Sequence, residues 1–115
     1  MADKLKDKEC VPCKVGAPTL KRDETEEFLK DVNDEWKVTD NTFIERTFKF
    51  KNFKNALEFT NRVGEVAEAE GHHPDIFLTW GKVKIKLMTH KIDGLHENDF
   101  IMASKIDNIN RDDLE

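Results

Sequence analysis

Of the four histidines in this 115-residue chain, His72, His73 and His90 fall within one short stretch, EGHHPDIFLTWGKVKIKLMTH, from Glu70 to His90. Histidine is the side chain whose ordinary pKa, about 6.5, lets it give or take a proton near neutrality. A converging set of three therefore points first to proton transfer. A metal site is the second reading and ordinary polar surface the third. Adjacent histidines project in diverging directions, and neither His-x-His nor His-x₃-His spacing occurs, which handicaps the metal reading.

Two carboxylates could serve these rings. Glu68 stands four residues before His72, in the last turn of a helical pattern, where it could reach the imidazole and fix its tautomer. Asp99 follows Glu97 near the start of a later helix and is a candidate for the same end of the molecule. Cys10 and Cys13, in CVPC, are the only cysteines. Zinc would need a second ligand pair nearby, and a redox pair normally opens a helix after a strand. This pair is instead surrounded by Pro12, Gly16 and Pro18, so a structural or incidental role is expected.

The elements that must position these residues follow from periodicity. Residues 1–18 read as an N-terminal tail or edge-packed extension, and 19–115 as a single domain. Leu20, Phe28, Leu29 and Val32 outline a first helix with an acidic start. Trp36 and Val38 open a short strand, TDNT turns the chain, and FIERTFKF returns with Ile44, Phe48 and Phe50 on one face, interrupted by Arg46. Asn52 is a good N-cap for a second helix carrying Phe53, Ala56, Leu57, Val63 and Ala67. Gly71 suits the left-handed position past its end, and Pro74 biases His73 toward extended geometry. Ile76–Trp80 and Lys82–Thr89 are two strands joined by a tight turn at Gly81, and in the latter Val83, Ile85 and Leu87 alternate with lysines. A third helix carries Met102, Ala103, Ile106 and Ile109.

The order is α-β-β-α-β-β-α. It predicts an α+β fold, a four-stranded antiparallel sheet with helices packed on its apolar face. Lys82, Lys84 and Lys86 line the other face, read as a solvated surface that discourages aggregation. Because the last two strands run antiparallel, the start of one lies beside the end of the other. His72 and His73 are thereby expected at the same end of the sheet as Thr89 and His90.

Composition bounds the function. Acidic residues number 24 against 19 basic ones, a net charge of −5, which argues against direct nucleic-acid binding. No apolar run approaches the roughly 18 residues of a membrane span, and MADKLKDKEC lacks a signal-peptide apolar core, so no membrane role and a cytoplasmic location are expected.

The stretch GHHPDIFLTWGKVKIKLMTHKIDGLHENDF, residues 71–100, resembles the pterin-4a-carbinolamine dehydratase family in its His-His-Pro, its Val-x-Ile-x-Leu strand, its Thr-His and its Gly-Leu before an acidic helix. Trp36, Phe48–Phe53 and the helix to Glu70 extend the resemblance to about residues 19–110. It implies the same α+β fold and a hydro-lyase that removes water from a 4a-hydroxytetrahydropterin. The product is the quinonoid dihydropterin, so the pterin used by aromatic amino acid hydroxylases is recycled. By resemblance His72, His73 and His90 are the catalytic set, His72 and His90 as acid and base and His73 in pterin positioning. Glu68 and Asp99 fall on supporting acidic positions, and Thr89, Trp80 and Pro74 on the substrate-binding side. No metal and no cofactor are implied, and homodimers or homotetramers are. Some members also stabilise the dimer of a homeodomain transcription factor, and an interaction module of that kind is the alternative function. Two departures stand out: Gly71 before the histidine pair, and His96 where Ser or Thr commonly caps the last helix, which predicts a weaker helix start.

Overall fold

A computed structural model describes residues 5–10 and 17–114. The elements are α1 (Arg22–Leu29), β1 (Lys37–Thr39), β2 (Phe43–Lys49), α2 (Phe53–Glu70), β3 (Asp75–Thr79), β4 (Lys82–Leu87) and α3 (Glu97–Asp107). This is the predicted α-β-β-α-β-β-α order. Short 3₁₀ turns lie at Leu5–Asp7, His90–Ile92 and Asp112–Leu114.

The strands form one antiparallel sheet in the order β1-β2-β4-β3, so the two hairpins join through the β2–β4 pair. Asp40 and Asn41 turn the first hairpin with φ of 51° and 53°, a left-handed pair of residues that Asp and Asn tolerate better than most side chains. In the central pair, Arg46 faces Ile85 and Phe48 faces Val83. Ile44, Phe48, Val83, Ile85 and Leu87 are buried on the helix side. On the opposite face Lys84 pairs with Glu45 at 3.0 Å, and Lys86 lies 4.2 Å from the centre of the Phe43 ring. Two of the three lysines in the row, Lys84 and Lys86, are therefore matched across strands.

Arg46, which breaks the apolar parity of β2, points inward and is 9% exposed. Asp107 at the end of α3 meets it at 2.6 Å and also accepts from the Trp36 indole N–H at 2.8 Å. The guanidinium additionally lies 4.2 Å from the centre of the Phe48 ring. A buried charge is tolerated here because it is paired and stacked.

Asn52 caps α2 by accepting from the Asn55 N–H at 2.8 Å. Ala56, Phe59, Val63 and Ala67 form its buried stripe. Phe53 and Leu57, expected on that stripe, are instead 45% and 40% exposed. Phe59 takes the inward place and packs 4.6 Å from the Phe48 ring, rotating the stripe away from them. Among the three helices α3 is the central one. Residues Asn98–Ser104 and Ile106 are all buried, with Phe28 of α1 stacked on Phe100 at 5.3 Å. Met102, Ala103 and Ile106 are thus consumed by the protomer's own core. They are therefore not available as an apolar stripe for a partner. No helix among the described residues is long and apolar enough to cross a membrane.

Candidate active site

The end of α2 sets up the site. Gly71 adopts φ 68°, and its N–H closes the helix onto the Ala67 carbonyl at 2.9 Å. The chain then leaves the helix, and His72 and His73 lie in the irregular stretch between α2 and β3. On the adjacent strand, β4 ends at Leu87 rather than Thr89, and His90 opens a 3₁₀ turn. The Thr89 N–H donates to the Gly94 carbonyl at 2.8 Å, clasping the loop that carries His90. Gly94 lets the chain pass close to Thr19: a Cβ there would lie 2.5 Å from Thr19 Cγ2 and would push that side chain aside.

These segments enclose a cleft of about 470 Å³ lined by His72, His73, Met88, Thr89 and His90, together with Cys10, Glu70 and Asn98. All three histidines singled out by spacing therefore face one cavity. It is of a size suited to a small heterocyclic ligand.

Asp99 organises its inner wall. The carboxylate is fully buried; Oδ1 lies 2.6 Å from His72 Nε2, and Oδ2 accepts from Thr89 Oγ1 at 2.9 Å and from the His96 N–H at 3.0 Å. A carboxylate is acceptor-only, so His72 carries its hydrogen on Nε2 and Nδ1 is the nitrogen left for exchange with a ligand. His96, expected to weaken the start of α3, caps it: its Nδ1 accepts from the Asn98 N–H at 3.0 Å. The imidazole acceptor replaces the hydroxyl that a Ser or Thr would supply.

Glu68 reaches His73 Nε2 at 2.5 Å, not His72, whose carboxylate partner is Asp99. The four-residue spacing to His72 would hold only if the helix continued, and Gly71 ends it. The Glu68–His73 pair is exposed, in contrast to the buried pair behind it. Thr89, expected to face substrate, directs its hydroxyl proton to Asp99. Pro74 follows His73 without lining the cleft. Trp80 does not line it either. It sits at the β3–β4 turn, 68% exposed, seven residues and about 23 Å of extended chain from His73.

Sequence reasoning missed Cys10, Glu70 and Asn98. Cys10 arrives from a segment read as a tail or edge-packed extension, and its N–H donates to Glu70 Oε1 at 2.8 Å. Burial, with the Glu70 carboxylate beside it, pushes the Cys10 thiol up to about 12. Glu70 is partly desolvated, which opposes its charge. The Cys10 N–H and the Lys105 ammonium at 3.3 Å outweigh that and hold its carboxyl below the usual range. Cys13 lies outside the described residues. Among the described residues no group of three His, Cys, Asp or Glu is arranged to hold a metal.

The model of the family described as "Pterin 4 alpha carbinolamine dehydratase" matches residues 18–109. Relatives bearing the name of pterin-4-alpha-carbinolamine dehydratase include one from Alkaliphilus metalliredigens, 55% identical over 90% of this chain and 93% of its own. Another, from Rubrobacter xylanophilus, is 50% identical over 91% of this chain and 97% of its own. Among solved structures, a transcriptional coactivator/pterin dehydratase from Brucella melitensis superposes with a TM-score of 0.71 at 36% identity, covering 77% of this chain and 95% of that one. A pterin dehydratase-like protein identified as a RuBisCO assembly factor shares the fold at a TM-score of 0.55 and 21% identity, over 64% of this chain and 86% of its own. The chain belongs to the pterin 4 alpha carbinolamine dehydratase family.

Proposed function

We propose that this protein dehydrates a 4a-hydroxytetrahydropterin to the quinonoid dihydropterin. The observation that carries the reading is one cleft lined by His72, His73 and His90, with His72 held from behind by the buried Asp99. The reaction breaks the C–O bond at the ring carbon and the N–H bond of the neighbouring ring nitrogen, and water leaves. One group must protonate the departing oxygen while another accepts the nitrogen's proton, and histidine can fill either role near pH 7, as imidazolium in the first and as neutral imidazole in the second. Asp99 fixes the tautomer of His72 so that Nδ1 is presented for exchange. His90, on the clasped loop across the cleft, is the second proton-transfer group, and His73 positions the pterin with Glu68 as its orienting partner.

The test is stopped-flow absorbance of quinonoid dihydropterin forming from the carbinolamine. Acceleration over the buffer reaction that scales with protein concentration is expected. A rate equal to buffer alone would turn the reading toward the interaction-module alternative.

A further inference from the structure

Cys10 shares the cleft with the histidines although it precedes them by some sixty residues of chain. It is held there by a series of anchors. Leu5 is buried in the core, and Lys8 Nζ donates to Glu97 Oε2 at 2.6 Å, at the start of α3. The Cys10 N–H donates to Glu70 at 2.8 Å, at the end of α2, and Lys105 braces the same carboxylate. The Cys10 sulfur lies 3.7 Å from the Asn98 carbonyl oxygen. The segment is thus stitched to the two helices that present the histidine site: α3 carries Asp99, and α2 leads into His72.

We propose that Cys10, held in place by the anchored segment Leu5–Cys10, forms a wall of the substrate site as a substrate-contact residue that sets how tightly the pterin is held. The inference rests on the dehydratase reading given above. The thiol stays protonated at neutral pH, so it acts as a small, polarisable, uncharged surface and not as a nucleophile. Such a surface suits the edge or face of a flat heteroaromatic ring. The wall contributes to binding and not to proton transfer, which remains with the histidines.

The test uses the full chain carrying Cys13→Ser, so that Cys10 is the only thiol. Replacing Cys10 by Ala should raise KM about 2- to 10-fold while kcat stays within about two-fold, because only a sulfur–ring contact is removed. Cys10→Phe should raise KM further by narrowing the cleft. Labelling of Cys10 by methyl methanethiosulfonate, through the small thiolate fraction that an alkaline buffer supplies, gives a second readout that needs no further substitution. With 6-methylpterin at ten times its Kd, measured by fluorescence titration, labelling should slow about ten-fold, as mass action requires if ligand and reagent compete. A KM unchanged in both variants, or labelling unaffected by bound 6-methylpterin, overturns the inference while leaving the dehydratase reading intact. A Cys13→Ser protein that binds no pterin and gives no acceleration overturns both.

Discussion

Asp99 and His72 lie 27 residues apart in sequence and 2.6 Å apart in space, with the carboxylate fully buried and its other oxygen accepting from Thr89 and His96. Three hydrogen bonds converge on one side chain that also helps start α3. Asp99→Asn preserves its shape and removes its charge. It should lower kcat about 10²-fold with little change in KM and cost about 1–3 kcal/mol of stability, since a buried amide must then satisfy donors and acceptors built for a carboxylate. Steady-state kinetics beside a denaturant titration check both effects, and an Asn variant with full turnover would remove Asp99 from the mechanism.

Replacing His72 and His73 together by Ala should bring turnover down toward the uncatalysed rate while the fold survives, because neither ring lies in the hydrophobic core. A positioned acid or base contributes about 10²–10⁴-fold, which sets the scale of the expected loss. Stopped-flow rates, with circular dichroism as the fold control, decide it.

Glu70 carries a pH signature. Its folded pKa is held below the ordinary carboxylate value, so its contribution is fully present above that value and is lost as pH falls through the depressed folded value. Glu70→Gln should therefore lower stability at neutral pH by about 1 kcal/mol, discounted for partial exposure. The gap from the parent should close on acidification. Thermal melts across the acid range test this, and a gap that widened as pH fell would contradict the sign.

Asp107 neutralises Arg46 inside the protein, at 2.6 Å with the two side chains 12% and 9% exposed. Asp107→Ala should cost about 3–5 kcal/mol, because it strands a buried guanidinium and leaves the Trp36 N–H without its acceptor. Arg46→Met together with Asp107→Leu should recover most of that loss, since both charges then leave together. Urea unfolding of the single and double variants gives the comparison.

The protein is expected to self-associate, because a domain of this length buries only modest surface alone. With α3 enclosed in the core, the exposed apolar side chains among the described residues lie on the edge strands β1 and β3, at Trp80 in the β3–β4 turn, and at Phe53 and Leu57 on α2. A two-fold dimer joined through sheet edges is the favoured form. Sedimentation equilibrium at micromolar protein should give the dimer mass. A monomer there ends the expectation, and a tetramer would identify the α2 surface as a second interface.

Local order was legible in the residues because it is made locally. Asn52 and Gly71 bracket α2 through bonds to neighbours three and four residues away, and the Val83, Ile85, Leu87 alternation follows from the two-residue period of a strand. Placing His72 and His73 beside Thr89 and His90 needed only one further step, the antiparallel run of two strands joined by a tight turn. What the residues did not disclose are pairings set by packing across the chain. The exchange of Glu68 from His72 to His73 depends on one left-handed residue that takes the chain off the helical repeat. Trp80 leaves the cleft because β3 runs away from it, and Arg46 turns inward because Asp107 arrives from the far end of α3. Cys10 becomes part of the site through Glu70, 60 residues distant, and no period or spacing rule reaches that far. Sequence patterns record which face of an element is apolar. Which polar groups meet is decided when the elements pack and each buried donor and charge must find a partner.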